Sequence, residues 1–238
     1  MKIPTKEIKI PKVVVYFLLF IIISGIITAV FTYYSNKSKP KIDLAGYKLV
    51  QLEEPKEGQD IAIIETTAGT MKVMLFSEEC PNTAALFKQA VADGAYKNLP
   101  VTQIEKGVLF ICKTNNEQKK TIPNEYHKNL WPFRGAICTI SDDKGYGSED
   151  IFFVNTAEFT DEMKQTLSNS GEFQAISDAF LERGGIPNFA MQYTVFAQVY
   201  DGFDVIDKIT ASAYDEDTGK PIDEIVVKDI TISVYKKE

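Results

Sequence analysis

The 238-residue sequence contains one histidine, His127. A multi-histidine metal centre is therefore excluded, and any Ser-His-Asp or Cys-His triad must use that one ring. Three cysteines are too few for a disulfide-built miniprotein. Positive charge is scarce outside the N-terminus. Residues 1–45 hold seven lysines and two acids, whereas the remainder holds 19 basic and 31 acidic side chains. Such an acidic body lacks the clustered Lys and Arg that phosphate contacts need, which argues against nucleic acid as a partner. There is no internal repeat and no low-complexity tract. The rest is ordinary globular usage, 45% hydrophobic and 25% charged, so neither a disordered chain nor a multi-span membrane protein fits.

One long hydrophobic run is present. Residues 13–34 (VVVYFLLFIIISGIITAVFTYY) carry no charge. As a helix they would extend about 33 Å, enough for a hydrocarbon core of about 30 Å. Tyr16 near one end and Tyr33-Tyr34 at the other suit the interfacial aromatic belt. A cleaved signal peptide would have a shorter apolar region and a small-residue cleavage site, absent here. The expected organisation is a basic tail (1–12), a transmembrane anchor (13–34), a polar tether (35–60) and a soluble domain (61–238). Four lysines precede the span and Lys37, Lys39 and Lys41 follow it. The small bias favours a cytoplasmic N-terminus and an extracytoplasmic domain at the cell membrane.

The soluble part reads as mainly β. Residues 61–67 and 71–76 alternate around Ala68-Gly69 and predict a hairpin. Pro81-Asn82-Thr83 predicts a helix start, with Asn82 or Thr83 as its cap, running to Gly94. Strands are expected at 101–104, 108–113, 136–140, 151–155, 194–200 and 225–235. Residues 160–183 are helical in pattern, broken at 168–171 and stopped by Gly184-Gly185. About eight strands with two helical insertions point to a closed antiparallel barrel, although periodicity does not separate this from a sandwich. His127 and the carboxylates of Asp142, Asp143, Glu149 and Asp150 read as solvated groups. Their spacing fits no EF-hand. Residues 215–219 read as a turn.

Five blocks carry a family resemblance: residues 64–76 (IETTAGTMKVMLF); Cys80-Pro-Asn-Thr83 with Phe87; Arg134-Gly135-Ala136; Gly147-Ser148 with 151–154 (IFFV); and 193–209 (YTVFAQVYDGFDVIDKI), preceded by Gly184-Gly-Ile-Pro187. In order and spacing they resemble the cyclophilin family of peptidyl-prolyl cis-trans isomerases over residues 61–235. The resemblance implies a closed eight-stranded antiparallel barrel with two or three helices, here behind one N-terminal transmembrane helix. It also implies a groove for proline-containing or unfolded polypeptides, with no cofactor and no metal. The family's catalytic arginine position is Gln103. Its glutamine position is Ile111, Ser141 stands near the backbone-binding asparagine, and Leu109 replaces methionine. Asn188 stands where many members have tryptophan. Phe189 and Tyr193 stand at the leucine and histidine positions, and Phe152 keeps the proline-pocket phenylalanine. Phe152 and Phe153 alternate on a strand, so one is expected in the groove and the other in the core. The same resemblance puts Cys112 and Cys138 on neighbouring strands, where a disulfide is conceivable.

Prolyl isomerisation needs no nucleophile. It needs an apolar seat for the ring and a donor aimed at the prolyl nitrogen as the amide twists. Gln103 offers a neutral donor where a charged one forms hydrogen bonds roughly twice as strong. The expectation is a membrane-tethered isomerase for exported proteins with weak catalysis. The alternatives are a non-catalytic proline-peptide or unfolded-chain binding module, and a structural protein whose groove is blocked by Ile140, Phe189 and Met191.

Overall fold

The computed structural model describes residues 43–116 and 118–237. Among them are ten strands: β1 (Asp60–Thr66), β2 (Thr70–Leu75), β3 (Leu99–Pro100), β4 (Gln103–Glu105), β5 (Leu109–Cys112), β6 (Thr121–Pro123), β7 (Ala136–Ser141), β8 (Tyr146–Val154), β9 (Val195–Asp201) and β10 (Val226–Val234). There are four α-helices: α1 (Pro81–Ala92), α2 (Asp161–Leu167), α3 (Gln174–Arg183) and α4 (Phe203–Ala211). The expected anchor at 13–34 lies outside the described residues. Within them no helix is long and apolar enough to cross a membrane.

All strand pairs are antiparallel, in the order β3-β10-β1-β2-β9-β7-β8-β5-β4, with β6 beside β8. The two end strands are consecutive pieces of one stretch. Val101 N–H donates to Ile225 on one side, and Thr102 N–H to Ile111 on the other, both at 2.8 Å. The expected closed eight-stranded barrel is thus a ten-stranded sheet whose curve is completed by chain continuity rather than by a β3–β4 ladder. Pro100, which has no N–H to give, sits at that seam.

The β1–β2 turn forms where Ala68-Gly69 predicted it, with Thr66 Oγ1 accepting from both of their N–H groups. Gly69 has φ +143°, and a Cβ there would lie 2.8 Å from Val205 of α4. Helix α1 packs on β8, β9 and β10, and α4 on β2, β4 and β5. Each set spans separated parts of the strand order, so each helix plugs an open end of the curved sheet. Helix α1 begins at Pro81, with Cys80 in the cap position but making no cap bond. The cap comes instead from Glu125. Its carboxylate accepts from Asn82 N and Nδ2 and from Thr83 N and Oγ1, at 2.7–3.2 Å. Asn82 and Thr83 are therefore the capped residues rather than the cap.

The helical insertion breaks where Ser168–Gly171 predicted. Thr160 caps α2, its Oγ1 accepting from Met163 N, and Gly184 ends α3 with φ +84°. Residues 43–56 do not behave as a free tether. Leu44, Tyr47, Leu49 and Leu52 pack against a second apolar cluster built on Trp131, Phe133 and Phe180. Among the described residues the packing of the folded unit thus begins at Leu44.

Candidate functional site

Strand register decides which predicted residues meet. Gln103 pairs with Ile111, Ile111 with Phe152, and Phe152 with Cys138. Directly opposed residues share a face, so these four form one row across the sheet. Leu109, two residues before Ile111, lies on the same face. The adjacent row, Ile104–Phe110–Phe153–Ile137, points the other way and is buried. There Phe110 and Phe153 stack with centroids 4.4 Å apart. The Phe152/Phe153 alternation therefore puts the two rings on opposite faces of β8, both of them buried.

Phe152 is covered by two rings. Tyr193 meets it edge-on at 5.0 Å and Phe189 at 5.8 Å, and those two lie 4.9 Å from each other. Each such pair is worth about 0.5–1.5 kcal/mol beyond its buried area. Phe152 is left only 3% exposed, while Phe189 and Tyr193 remain half-buried. The loop carrying both rings reverses at Met191, a non-glycine residue with φ +58°. A left-handed residue of this kind costs about 1–2 kcal/mol, so surrounding packing must hold it.

Gln103 is exposed at the edge of the row, and its amide has no hydrogen-bond partner among the described residues. Its aliphatic stem is walled by the turn at 215–219. Ser141 lies three residues beyond Cys138, and its hydroxyl donates to Asn124 Oδ1 at 2.9 Å. Asn124 Nδ2 in turn donates to Tyr126 OH, which donates to the Gln192 carbonyl. Asn124 and Tyr126 thus link Ser141 to the loop bearing Tyr193. Sequence reading passed over both, because their contact partners lie up to about 70 residues away. Among the described residues no ion pair or hydrogen bond joins a cation to Gln103. Arg134 is committed to Asp207 at 2.7 Å and to Asn155 at 3.1 Å, and Lys106 and Lys113 are exposed without ion pairs.

Nucleophilic chemistry finds no support in the thiols. Burial raises the pKa of Cys112 to about 12, with Asp150 adding to the effect. Burial also raises those of Cys80 and Cys138. All three are free and stay protonated. Cys112 and Cys138 are not on neighbouring strands. β8 lies between β5 and β7, so the two Cα atoms are about two strand spacings apart, near 9.6 Å. Opposite Ile151 and Phe152 respectively, they also point to opposite faces. A disulfide needs Cα atoms within about 7 Å, so this pairing is excluded.

His127, expected to be solvated, is half-buried, and its Nδ1 accepts from Asn129 N. Asp150 is likewise buried rather than solvated. It accepts from Thr114 and pairs with Lys119 at 2.6 Å. Glu149 is also buried, 4% exposed. Among the described residues no cluster of three His, Cys, Asp or Glu side chains is placed to hold a metal.

A curved, barrel-like antiparallel sheet with helices packed against it is the architecture of a cyclophilin. The chain belongs to the cyclophilin type peptidyl-prolyl cis-trans isomerase/CLD family, matching it over residues 61–233. A Staphylococcus aureus protein named as a peptidyl-prolyl cis-trans isomerase is 24% identical over 188 residues, covering 76% of this chain and 95% of that protein. The Gallus gallus peptidyl-prolyl cis-trans isomerase-like 3 is 25% identical over 178 residues, covering 71% and 93%. Among solved structures, a Cryptosporidium parvum cyclophilin type isomerase superposes with a TM-score of 0.57 at 21% identity, covering 76% of this chain and 99% of that one. A second structure of that protein, obtained in the presence of the dipeptide Ala-Pro, gives 0.56 at 22% identity, covering 74% and 99%.

Proposed function

We propose that this protein is a membrane-tethered peptidyl-prolyl isomerase with weak catalysis, acting on proline-containing segments of exported proteins. The carrying observation is the row Gln103–Ile111–Phe152 with the rings of Phe189 and Tyr193 on Phe152. It supplies an apolar seat for a proline ring and an amide donor at its edge. The Ala-Pro dipeptide named with the Cryptosporidium relative fits the same reading. Residues 13–34 anchor the chain in the bilayer, with the N-terminus cytoplasmic and the domain outside.

The X–Pro amide resists rotation with a barrier of about 18–20 kcal/mol because its C–N bond is partly double. Twisting localises the lone pair on nitrogen. A donor held there stabilises the twisted state more than the planar one, which is what accelerates the step. Gln103 presents that N–H without charge. It also lacks a partner to orient it, so it is poorly preorganised. Loss of one preorganised donor costs about 10²–10³ in rate.

The free Gln103 amide also favours a second reading, a module that binds proline segments without turning them over. The test is isomerisation of a short X–Pro peptide by the full chain beside Gln103→Arg and Gln103→Ala. Acceleration by the native chain that falls in Gln103→Ala supports the enzyme. An inactive native chain with an active Gln103→Arg variant supports the binding module. Inactivity in all three, with no peptide binding, overturns both.

A further inference from the structure

We propose that residues 43–56, which lie ahead of the family-matched region, form a strap that positions the proline seat, with Gln51 as its positioning residue. This rests on the peptide-binding reading above.

Gln51 is 4% exposed. Its Nε2 donates to the Trp131 carbonyl at 2.8 Å and to Gln198 Oε1 at 2.9 Å, and its Oε1 accepts from Trp131 N. Lys48 N also donates to Asn129 Oδ1 at 2.8 Å, and Lys128 Nζ to the Ala45 carbonyl. The strap is therefore bonded along residues 128–131, while Tyr47, Leu49 and Leu52 pack on the Trp131 cluster. That segment is itself half of a pair. Phe133 bridges Gly185, and Ile186 N donates to the Pro132 carbonyl at 2.9 Å. The approach is close enough that a Cβ on Gly185 would fall 2.4 Å from the Pro132 oxygen. The loop with Phe189 starts at once from this pair, Phe189 N donating to the Ile186 carbonyl. Ala190 and Met191 then rest on the same cluster as the strap.

The groove wall is thus held between two surfaces. On one side Phe189 meets Phe152. On the other, Ala190 and Met191 meet side chains that the strap covers. The strained backbone of Met191 needs such backing. Coupling through packed contacts of this kind typically amounts to about a 2- to 30-fold change in affinity.

The test compares the native full chain with Gln51→Ala and with Tyr96→Phe. The second variant loses a buried hydrogen bond to the Glu149 carbonyl, in the main core rather than in the Trp131 cluster on which the strap packs. Binding of an Ala-Pro-containing peptide is titrated well below each melting midpoint, and backbone amide shifts are mapped without peptide. The expected result is affinity about 2- to 30-fold weaker in Gln51→Ala, unchanged in Tyr96→Phe, with amide shifts spreading to residues 189–193. Equal weakening in both variants, or shifts confined to the neighbours of Gln51, Trp131 and Gln198, would overturn it. If the native chain binds no peptide, the functional reading fails. The strap is then judged by the shifts at 189–193 alone, present or absent. If Gln51→Ala does not fold, Tyr47→Ala carries the same comparison.

Discussion

A Cβ built on Gly219 falls 2.7 Å from Cγ of Gln103. The glycine has φ +71°, its carbonyl accepts from Ile104 N at 2.7 Å, and its N–H donates to the Asp215 carbonyl. The Asp215 carboxylate fastens the turn by accepting from Asp217 N and from Thr218 N and Oγ1. Gly219→Ala would push the Gln103 stem aside, beyond the strain of about 1 kcal/mol for a left-handed alanine. We expect kcat to fall severalfold with KM unchanged, and no further fall on a Gln103→Ala background. Additive losses in that double-mutant cycle would show that the two positions act separately.

Phe152 and Phe153 are both buried, so truncating either to alanine should cost about 3–5 kcal/mol in denaturant unfolding. Leucine separates their roles. Phe152→Leu should weaken peptide binding because it removes the ring beneath Phe189 and Tyr193. Phe153→Leu disturbs only the stack on Phe110 and should leave affinity unchanged. Isothermal titration of both variants with one Ala-Pro peptide checks this, and equal affinities would contradict the face assignment.

Glu125 ties residues distant in sequence to the start of α1. Partial burial raises its pKa, but hydrogen bonds from Thr83 and Asn82 outweigh this and leave it below the usual 4.5. A depressed folded-state value stabilises the fold at pH values above the unfolded one. That contribution disappears as pH falls through the folded value. Glu125→Ala should therefore lower stability by about 1–2 kcal/mol at pH 7, as for loss of a good helix cap. The difference from the native chain should shrink once pH drops below about 4.5. Thermal melts of both proteins from pH 7 to pH 3 give the comparison, and a difference that grows in acid would refute the cap.

The three thiols are buried and free. Intact mass should therefore be the same before and after reduction, and alkylation should require denaturant. A 2 Da increase on reduction would contradict the strand order between Cys112 and Cys138.

The sequence was most readable where structure is local. The Thr66–Gly69 turn, the helix break at 168–171 and the stop at Gly184 follow from backbone preferences of a few residues. The Phe152/Phe153 split follows from the period of a strand. Helix α4 was missed although Val205, Ile206 and Ile209 lie at helical spacing, because the preceding strand pattern runs straight into it across Gly202. Cap, strap and cysteine placement failed for a different reason. Glu125 reaches a helix 42 residues back, Gln51 bonds a carbonyl 80 residues on, and β8 separates the two cysteine-bearing strands. None of these is encoded in neighbouring residues. The apolar spacing of Leu44, Tyr47, Leu49 and Leu52 was the available sign of the strap, masked by the lysines, acids and proline around it.

The docked strap also shortens the leash. With residues from 43 onward bound to the domain, eight residues remain between Tyr34 and the fold. Fully extended they reach about 26–29 Å. Under the membrane-tethered reading proposed above, that length sets the greatest distance at which the folded domain can stand from its anchor.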